Sequence, residues 1–352
     1  MANTAAQLKA SLIKTGDFLS LTRQHEWHMP AFDFVIESTD YPTKVSVLDT
    51  GIIVFEPQTK TQKDIVLSCA VHGNETAPIE ICAELVQQAI LGQVTLTERV
   101  LFLFGNPAAM NIAERFVEEN LNRLFSGAHS QDGGLKNKER VRAKVLEDAV
   151  RDFFEATNSN GSERERKHYD LHTAIRESKN DKFAVYPFRH GKPWKTSELS
   201  FLQACGVSTI LLSHSPTTTF SYFSSNNFGA DAFTVELGKV RPFGENDMSQ
   251  FSDVKKTLKA LITGKDLNLK PFDEAEFSIF EIDQTINRTR ENFVLHFPDD
   301  AKNFTDYPVD YLLASDGDIE YRVRTEGEAI IFPNANVALG QRALLTVKPT
   351  KL

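Results

Sequence analysis

The sequence predicts an α/β protein whose mixed, centrally parallel sheet is flanked by helices and followed by a smaller C-terminal β domain. Near-continuous apolar runs, which are typical of strands buried on both faces of a sheet, recur along the chain up to about residue 265. Segments with helical spacing separate these runs, and strands that alternate with helices form parallel sheets. Beyond residue 265, short β-prone runs alternate with turns.

The individual elements follow from the same patterns. Residues 1–30 predict a short helix and an irregular lead-in, and an antiparallel meander comes next. A proline suited to a first helical turn, Pro78, marks a helix over 76–90. The predicted strands are 32–38, 43–49, 51–57, 64–71, 99–104, 168–172, 183–187, 207–212 and 232–237. The other predicted helices are 108–116, 135–157, 199–205 and 251–263.

Composition excludes several classes of protein. The net charge is −9, with 39 basic against 48 acidic residues, so nothing favours binding to nucleic acid or to an anionic membrane. No apolar run is long enough to span a bilayer, and the N-terminus lacks the apolar core of a signal peptide. The three cysteines, an odd number in apolar surroundings, indicate a reducing compartment. We therefore expect a cytoplasmic protein without a nucleic-acid or membrane partner.

A histidine and a glutamate lie at the junction between a buried strand and a helix. The apolar run 65–71 leads into His72, and Glu75 follows three residues later, so both side chains can point into one pocket and hold zinc. His172, which ends another strand, is a third ligand candidate. Asp170 shares its face of the strand and could accept its second ring N–H, although a turn or cap residue is the alternative.

A separate carboxylate, Glu236, lies in the apolar run 233–237. It is either a desolvated proton-transfer group or a carboxylate on the exposed face of an edge strand. The adjacent pair Asn122 and Arg123 predicts substrate binding, because arginine suits forked recognition of carboxylates. For Arg115 alone, a solvent-exposed position is the simpler interpretation.

Competing sites receive little support from the sequence. It contains no G-x-S-x-G elbow, no P-loop and no G-x-G-x-x-G. A second metal-like cluster, His25-Glu26-Trp27-His28, precedes every predicted core element and is interpreted as a surface segment.

In their order and spacing, these motifs resemble the succinylglutamate desuccinylase/aspartoacylase family, a branch of the zinc carboxypeptidase-like hydrolases. The motifs are His72-Gly-Asn-Glu75, Gly105-Asn-Pro107, Asn122-Arg123, Asp170-Leu-His172 and Val235-Glu236-Leu-Gly238. The resemblance implies one zinc ion per subunit, held by His72, Glu75 and His172. It also implies that Glu236 is the general base and acid.

The resemblance assigns further roles on the substrate side. Arg123 and Asn122 match positions that grip the substrate or polarise the scissile carbonyl. Arg115 lies eight residues before Arg123, as a substrate-binding arginine does in aspartoacylases. The family's aspartate two residues before the Asn-Arg pair is Asn120 here, and we assign this position no role.

The desuccinylase branch of the family fits best. The run 170–176, followed by 183–188, is typical of that branch. Aspartoacylases instead carry an arginine shortly before the catalytic glutamate, where this chain has Asn226, and a C-terminal tyrosine that 336–340 lacks. The implied reaction is hydrolysis of N2-succinyl-L-glutamate to succinate and L-glutamate, the last step of arginine catabolism by the succinyltransferase route.

The expected partner is a small anionic N-acyl amino acid. Weaker candidates for binding its carboxylates are Arg176, Lys182, Arg189 and Arg241. We expect a zinc hydrolase domain over 1–267 and a β domain over 268–352 that covers the site, in a monomer or a homo-oligomer. The alternatives are a related aspartoacylase-like deacylase, a carboxypeptidase-like peptidase with the same zinc site, and a metal-binding or interaction protein without catalysis.

Overall fold

A computed structural model describes residues 4–37, 40–157 and 164–352. The helices are α1 (Ala5–Thr15), α2 (Phe18–Gln24), α3 (Thr76–Ile90), α4 (Pro107–Asn111), α5 (Lys138–Glu155), α6 (Thr196–Ala204), α7 (Phe220–Phe228) and α8 (Ser252–Ile262). The strands up to residue 239 are β1 (Phe32–Ile36), β2 (Thr43–Asp49), β3 (Ile52–Pro57), β4 (Lys63–Cys69), β5 (Arg99–Phe104), β6 (Glu165–Ala174), β7 (Phe183–Tyr186), β8 (Thr209–Leu212) and β9 (Asp231–Lys239). The later strands are β10 (Ser278–Asn287), β11 (Phe293–Leu295), β12 (Thr305–Asp306), β13 (Leu312–Asp316), β14 (Ile319–Arg322), β15 (Ala329–Ile331) and β16 (Arg342–Pro349).

The main sheet has thirteen strands in the order β1-β2-β3-β5-β4-β6-β9-β7-β8-β10-β16-β15-β12. Its centre is parallel, because β4 pairs in parallel with β5 and β6, and β6 with β9. The antiparallel meander β1-β2-β3 lies at one end, and β7 runs antiparallel to β9. The predicted mixed, centrally parallel sheet is confirmed.

Helices cover both faces of the sheet. On one face, α1, α2, α3, α6 and α8 bury their apolar sides in the largest core cluster. On the other face, α5 and α7 pack against β3, β4 and β5 through a second cluster. Because both faces of the central strands are buried, their sequences are nearly unbroken apolar runs. No helix within the described residues is long and apolar enough to cross a membrane.

The C-terminal region is rich in strands, as the sequence predicts, and continues the main sheet. Strand β10 pairs in parallel with β8 and antiparallel with β16. On the other side of β16, β15 pairs antiparallel with it, and β12 pairs antiparallel with β15. A separate three-stranded sheet, β11-β13-β14, packs with these strands around a core of its own. The division at residues 267 and 268 stays a prediction.

Some predicted boundaries were wrong. The helix predicted over 108–116 ends at Asn111, because Ile112 is exposed and Ala113 adopts a positive φ of 56° that a helix does not accommodate. Helix α7 was not predicted, since its serines and asparagines are weak helix formers. The residues before β1 form two helices. The predicted strand 32–38 ends at Ile36, and Ser38 lies outside the described residues.

Candidate active site

The turn after β4 brings His72 and Glu75 to the carboxyl end of the parallel strands. The strand ends because Ala70 adopts a positive φ of 56°. Gly73 packs directly on the backbone of α4, where a Cβ atom would lie 2.2 Å from the carbonyl carbon of Ala109. Only glycine allows this approach, so the turn is fixed between α4 and the start of α3, whose N-cap is Glu75.

Three buried side chains meet at this end of the sheet. One carboxylate oxygen of Glu75 lies 2.8 Å from Nδ1 of His72, and the other lies 2.8 Å from Nδ1 of His172. Each of the three residues offers a ligand atom within 4.8 Å of the others, and the side chains are at most 3% exposed. Within the described residues, this His-Glu-His group is the cluster that could bind a metal ion.

Each histidine is oriented through its other ring nitrogen. Nε2 of His172 donates to Oδ2 of Asp170 across 2.9 Å, and Nε2 of His72 donates to Oδ1 of Asn120 across 3.0 Å. Asn120 Oδ1 also accepts the backbone N–H of Asn122, which identifies it as an acceptor. Both imidazoles therefore carry a proton on Nε2 and turn Nδ1 toward Glu75, so a tautomer suited to metal binding is set by these neighbours.

The support for His172 continues as a chain of buried hydrogen bonds. Ser68 Oγ donates to the second oxygen of Asp170 at 2.6 Å and accepts from Nε2 of His168 at 2.8 Å. Nδ1 of His168 in turn lies 2.7 Å from Oγ of Ser224 on α7. All four side chains are fully buried, so every polar group in the chain depends on these partners.

Burial and neighbouring charges separate the pKa values of the two site histidines. Burial lowers the pKa of His72 to about 4, and the positive charge of Arg115 adds to this effect. Burial also opposes a charge on His172, but the carboxylates of Asp170 and Glu75 outweigh it and hold the pKa of His172 well above its usual value. The two histidines in turn hold the pKa of Glu75 well below its usual value, despite burial. Glu75 is thus an anion at neutral pH, as a metal ligand must be.

Glu236 lies beside this cluster on the neighbouring strand. It pairs directly with His172 in the parallel register of β6 and β9, so both side chains project from the same face. Glu236 is 7% exposed, and its Oε2 is buried without a hydrogen-bond partner in the described structure. Burial raises its pKa to about 7, and the charges of Glu75 and Asp170 act in the same direction against those of His172 and Arg115. The carboxyl group is therefore poised to exchange a proton near neutral pH.

The residues predicted to bind substrate flank the same cluster. Nη1 of Arg115 donates to Oε1 of Glu75 at 2.7 Å, so this arginine faces the site and not only the solvent. Asn122 is buried, and its Oδ1 accepts the backbone N–H of Phe220, which leaves its NH₂ group as a donor. Nη1 of Arg123 donates to the backbone oxygen of Asn122.

Arg123 is close to two other cations. Its pKa is held well below the usual value by burial first, and then by the charges of Arg342 and Arg115. Arg342 begins β16 in the C-terminal region, and burial together with the charge of Arg115 lowers its pKa to about 10. The C-terminal region therefore brings a guanidinium to the two arginines predicted from the sequence.

Most of the weaker cationic candidates are engaged elsewhere. Arg176 donates to the backbone oxygens of Pro333, Asp299 and Ala301, and so ties β6 to the C-terminal region. Lys182 donates to the backbone oxygen of Gln250. Arg189 bonds to the hydroxyl of Tyr186 and lies 3.9 Å from Asp231.

Sequence reasoning missed two residues of this site. Asn120 received no role, although its position two residues before the Asn122-Arg123 pair was a signal that it belongs to the site. Arg342 carries no local motif and lies more than two hundred residues from Arg123 in the chain, so only the fold reveals their proximity.

Family models and known sequences match this chain over most of its length. The model of the succinylglutamate desuccinylase/aspartoacylase catalytic domain matches residues 61–262, and the AstE/AspA barrel-sandwich hybrid domain matches 275–350. The chain is 54% identical over 332 residues to the succinylglutamate desuccinylase of Idiomarina loihiensis, covering 94% of this chain and 95% of that protein. It is 52% identical over 348 residues to that of Pseudoalteromonas atlantica, covering 98% of each.

Solved structures agree with these matches. The succinylglutamate desuccinylase of Chromobacterium violaceum superposes with a TM-score of 0.81 at 36% identity, covering 96% of this chain and 98% of that one. The succinylglutamate desuccinylase of Vibrio cholerae superposes with a TM-score of 0.84 at 32% identity, covering 94% of each chain.

Proposed function

This chain belongs to the succinylglutamate desuccinylase/aspartoacylase family, and from that premise we propose that it hydrolyses N2-succinyl-L-glutamate to succinate and L-glutamate with the help of zinc. The relatives indicate a hydrolase. The observation that carries the proposal is the meeting of a buried His-Glu-His cluster with a separate buried carboxylate, Glu236, on the adjacent strand. By this assignment the reaction is the last step of arginine catabolism by the succinyltransferase route.

The donor set of the cluster fits a catalytic zinc site. Two imidazoles and one carboxylate are the protein ligands of many zinc hydrolases, which keep a further position open. His72, Glu75 and His172 would hold one zinc ion per subunit, and Asp170 and Asn120 would fix the two imidazoles. When bound there, zinc supplies Lewis-acid polarisation of a carbonyl and makes water nucleophilic near neutral pH.

Glu236 would carry the proton through the reaction. Its unpartnered Oε2 can accept a proton from the water that attacks the amide carbonyl, and its pKa of about 7 makes the return of that proton equally accessible. A C–O bond forms to the acyl carbon, the C–N bond breaks, and the proton passes from Glu236 to the departing nitrogen of glutamate, while the second proton of the water is released when the new carboxyl group ionises. The products are succinate and L-glutamate.

The groups next to the cluster would bind and polarise the substrate. Arg123 has no acidic partner within the described residues and donates to the backbone oxygen of Asn122, whose side-chain NH₂ group stays a donor, so both residues could meet the negative charge that develops on the carbonyl oxygen. Arg115, held by Glu75, would bind a substrate carboxylate at the rim.

The approach of β16 to these arginines supports a small substrate over a peptide, since a peptidase needs an open cleft. We also propose a cytoplasmic location, because all three cysteines, Cys69, Cys82 and Cys205, are buried and unpaired, as in a reducing compartment.

The test measures succinate release from N2-succinyl-L-glutamate. Hydrolysis of N-acetyl-L-aspartate and of a dipeptide is measured in parallel. Each substrate is assayed with the isolated protein, after zinc removal by a chelator, and after zinc is restored. We expect zinc-dependent cleavage of the succinyl compound alone. Preferential cleavage of acetylaspartate would favour an aspartoacylase, and cleavage of the dipeptide a peptidase. Activity on the succinyl compound that survives complete zinc removal would contradict the metal role.

A further inference from the structure

Arg342 is a half-buried cation that lacks an anionic partner. Its guanidinium lies 5.5 Å from the centroid of the Phe332 ring, and its Nε is buried without a hydrogen-bond acceptor. In the part of the chain that the structure describes, no carboxylate lies within ion-pair distance of it. Leaving a buried charged donor unsatisfied costs free energy, so such a group is expected where a ligand supplies the acceptor.

Neighbouring positive charges make the unpaired guanidinium of Arg342 still more unfavourable when no ligand is bound. Phe332, on which Arg342 packs, lies 5.7 Å between ring centroids from Phe183, and Phe183 pairs with Glu236 in the register of β7 and β9. Besides burial, the charges of Arg342 and Arg115 lower the pKa of Arg123, and the charge of Arg115 lowers the pKa of Arg342. Glu75 compensates Arg115 at 2.7 Å, but no acidic side chain among the described residues pairs with Arg123 or Arg342. Two uncompensated guanidinium groups therefore converge beside the His-Glu-His cluster, and an anion that reaches them relieves like-charge repulsion as well as an unmet hydrogen bond.

We propose that Arg342 binds a carboxylate of the N-acyl amino acid substrate, so that β16 of the C-terminal region forms part of the substrate site. The proposal rests on the proposed function and extends it. The substrate N2-succinyl-L-glutamate carries one carboxylate on its succinyl arm and two on its glutamate part. Arg115 and Arg123 alone cannot meet all of these and also polarise the scissile carbonyl. A third guanidinium supplies one of the missing partners, and its fixed fork selects a carboxylate in one place.

A purely structural role for Arg342 is the competing explanation. Its packing on Phe332 is a cation–π contact that could hold β16 in place without touching substrate. The two roles differ in their dependence on the ligand. A structural defect would weaken the binding of every ligand by the same factor, whereas a lost carboxylate contact would matter only when that carboxylate is present.

The test measures binding without turnover. Zinc-loaded protein carrying Glu236→Gln, with and without Arg342→Ala, is titrated calorimetrically with N2-succinyl-L-glutamate. It is then titrated with three analogues in which one carboxylate at a time is replaced by a neutral amide. We expect Arg342→Ala to raise the Kd of the full ligand by about 10- to 100-fold. For one of the three analogues, it should raise the Kd by less than about twofold, because the partner carboxylate is already absent.

Matched variants separate charge from packing. Arg342→Lys keeps a cation without the fork and should restore part of the lost affinity, whereas Arg324→Ala, an exposed arginine of the same region, should leave the Kd unchanged. An unchanged Kd in Arg342→Ala, an equal loss for all four ligands, or no binding of any ligand to the parent would overturn the proposal. Hydrolysis by the wild-type protein is assayed separately, so failure of the proposed function is recognised independently.

Discussion

Asp170 and His172 lie two positions apart on the same face of β6, and Nε2 of His172 donates a 2.9 Å hydrogen bond to Oδ2 of Asp170. This contact fixes the ring so that Nδ1 points at Glu75. Asn120 makes the equivalent contact to His72, so an acidic and a neutral acceptor support the two histidines. Because a carboxylate raises the basicity of an imidazole more than an amide does, His172 should be the stronger of the two imidazole ligands.

Asp170→Asn should lower zinc affinity by about 10- to 100-fold, because the amide no longer supports His172 with a negative charge. Competition between the protein and a chromogenic chelator measures the change. Asp318→Asn, which alters a fully exposed aspartate, provides the control and should retain wild-type affinity. Equal zinc affinity in the Asp170 variant and the wild type would remove Asp170 from the support of the site.

His72→Ala should abolish stoichiometric zinc retention, because it removes one of the three proposed protein ligands. Metal content after gel filtration, measured by plasma mass spectrometry, checks this result. The matched control is His28→Ala, which removes an exposed histidine from the other metal-like cluster and should keep one zinc per chain. Stoichiometric zinc in His72→Ala would contradict the ligand assignment.

Arg123→Ala should lower kcat by about 10²- to 10³-fold and also raise KM, because the guanidinium meets charge that develops only as the carbonyl is attacked. Steady-state kinetics with N2-succinyl-L-glutamate separate the two constants. Arg151→Ala on the surface of α5 should change neither. A rise in KM with an unchanged kcat would make Arg123 a binding residue without a role in the transition state.

His168 should make stability depend on pH. Burial lowers its pKa from 6.5 to about 4, with Asp170 acting to raise it and His172 to lower it. Because the unfolded chain takes up the proton first, this contribution to stability is complete above pH 6.5 and is lost as the pH falls toward 4. The expected loss is roughly 2 kcal/mol at pH 5.

Urea unfolding of the wild type and of His168→Gln at several pH values isolates the pH-dependent contribution of His168 to stability. The free energy of unfolding of the wild type should fall more steeply between pH 7.5 and pH 5 than that of the variant, since glutamine has no proton to gain. Parallel curves for the two proteins would show that His168 does not titrate in this way.

The sequence predicted what depends on local patterns. Apolar runs predicted the central strands, and the strand-to-helix junction indicated that His72 and Glu75 share a pocket; in the structure, Nδ1 of His72 lies 2.8 Å from Oε1 of Glu75. Contacts between distant segments could not be obtained in this way. The donation from His72 to Asn120 depends on an irregular loop, and the approach of Arg342 to Arg123 depends on how β10 and β16 extend the main sheet. Periodicity does not encode such contacts, because they arise from tertiary packing.

In the proposed reaction, a zinc ion held by the His-Glu-His cluster works with a separate proton-transfer group, Glu236. The most direct measurement determines zinc content and the rate of succinate release on the same sample of Glu236→Gln. We predict one zinc per chain, as in the wild type, with turnover reduced by about 10²- to 10⁴-fold, because the amide fills the same space and cannot accept the proton. Full zinc occupancy with near-normal turnover would contradict the account.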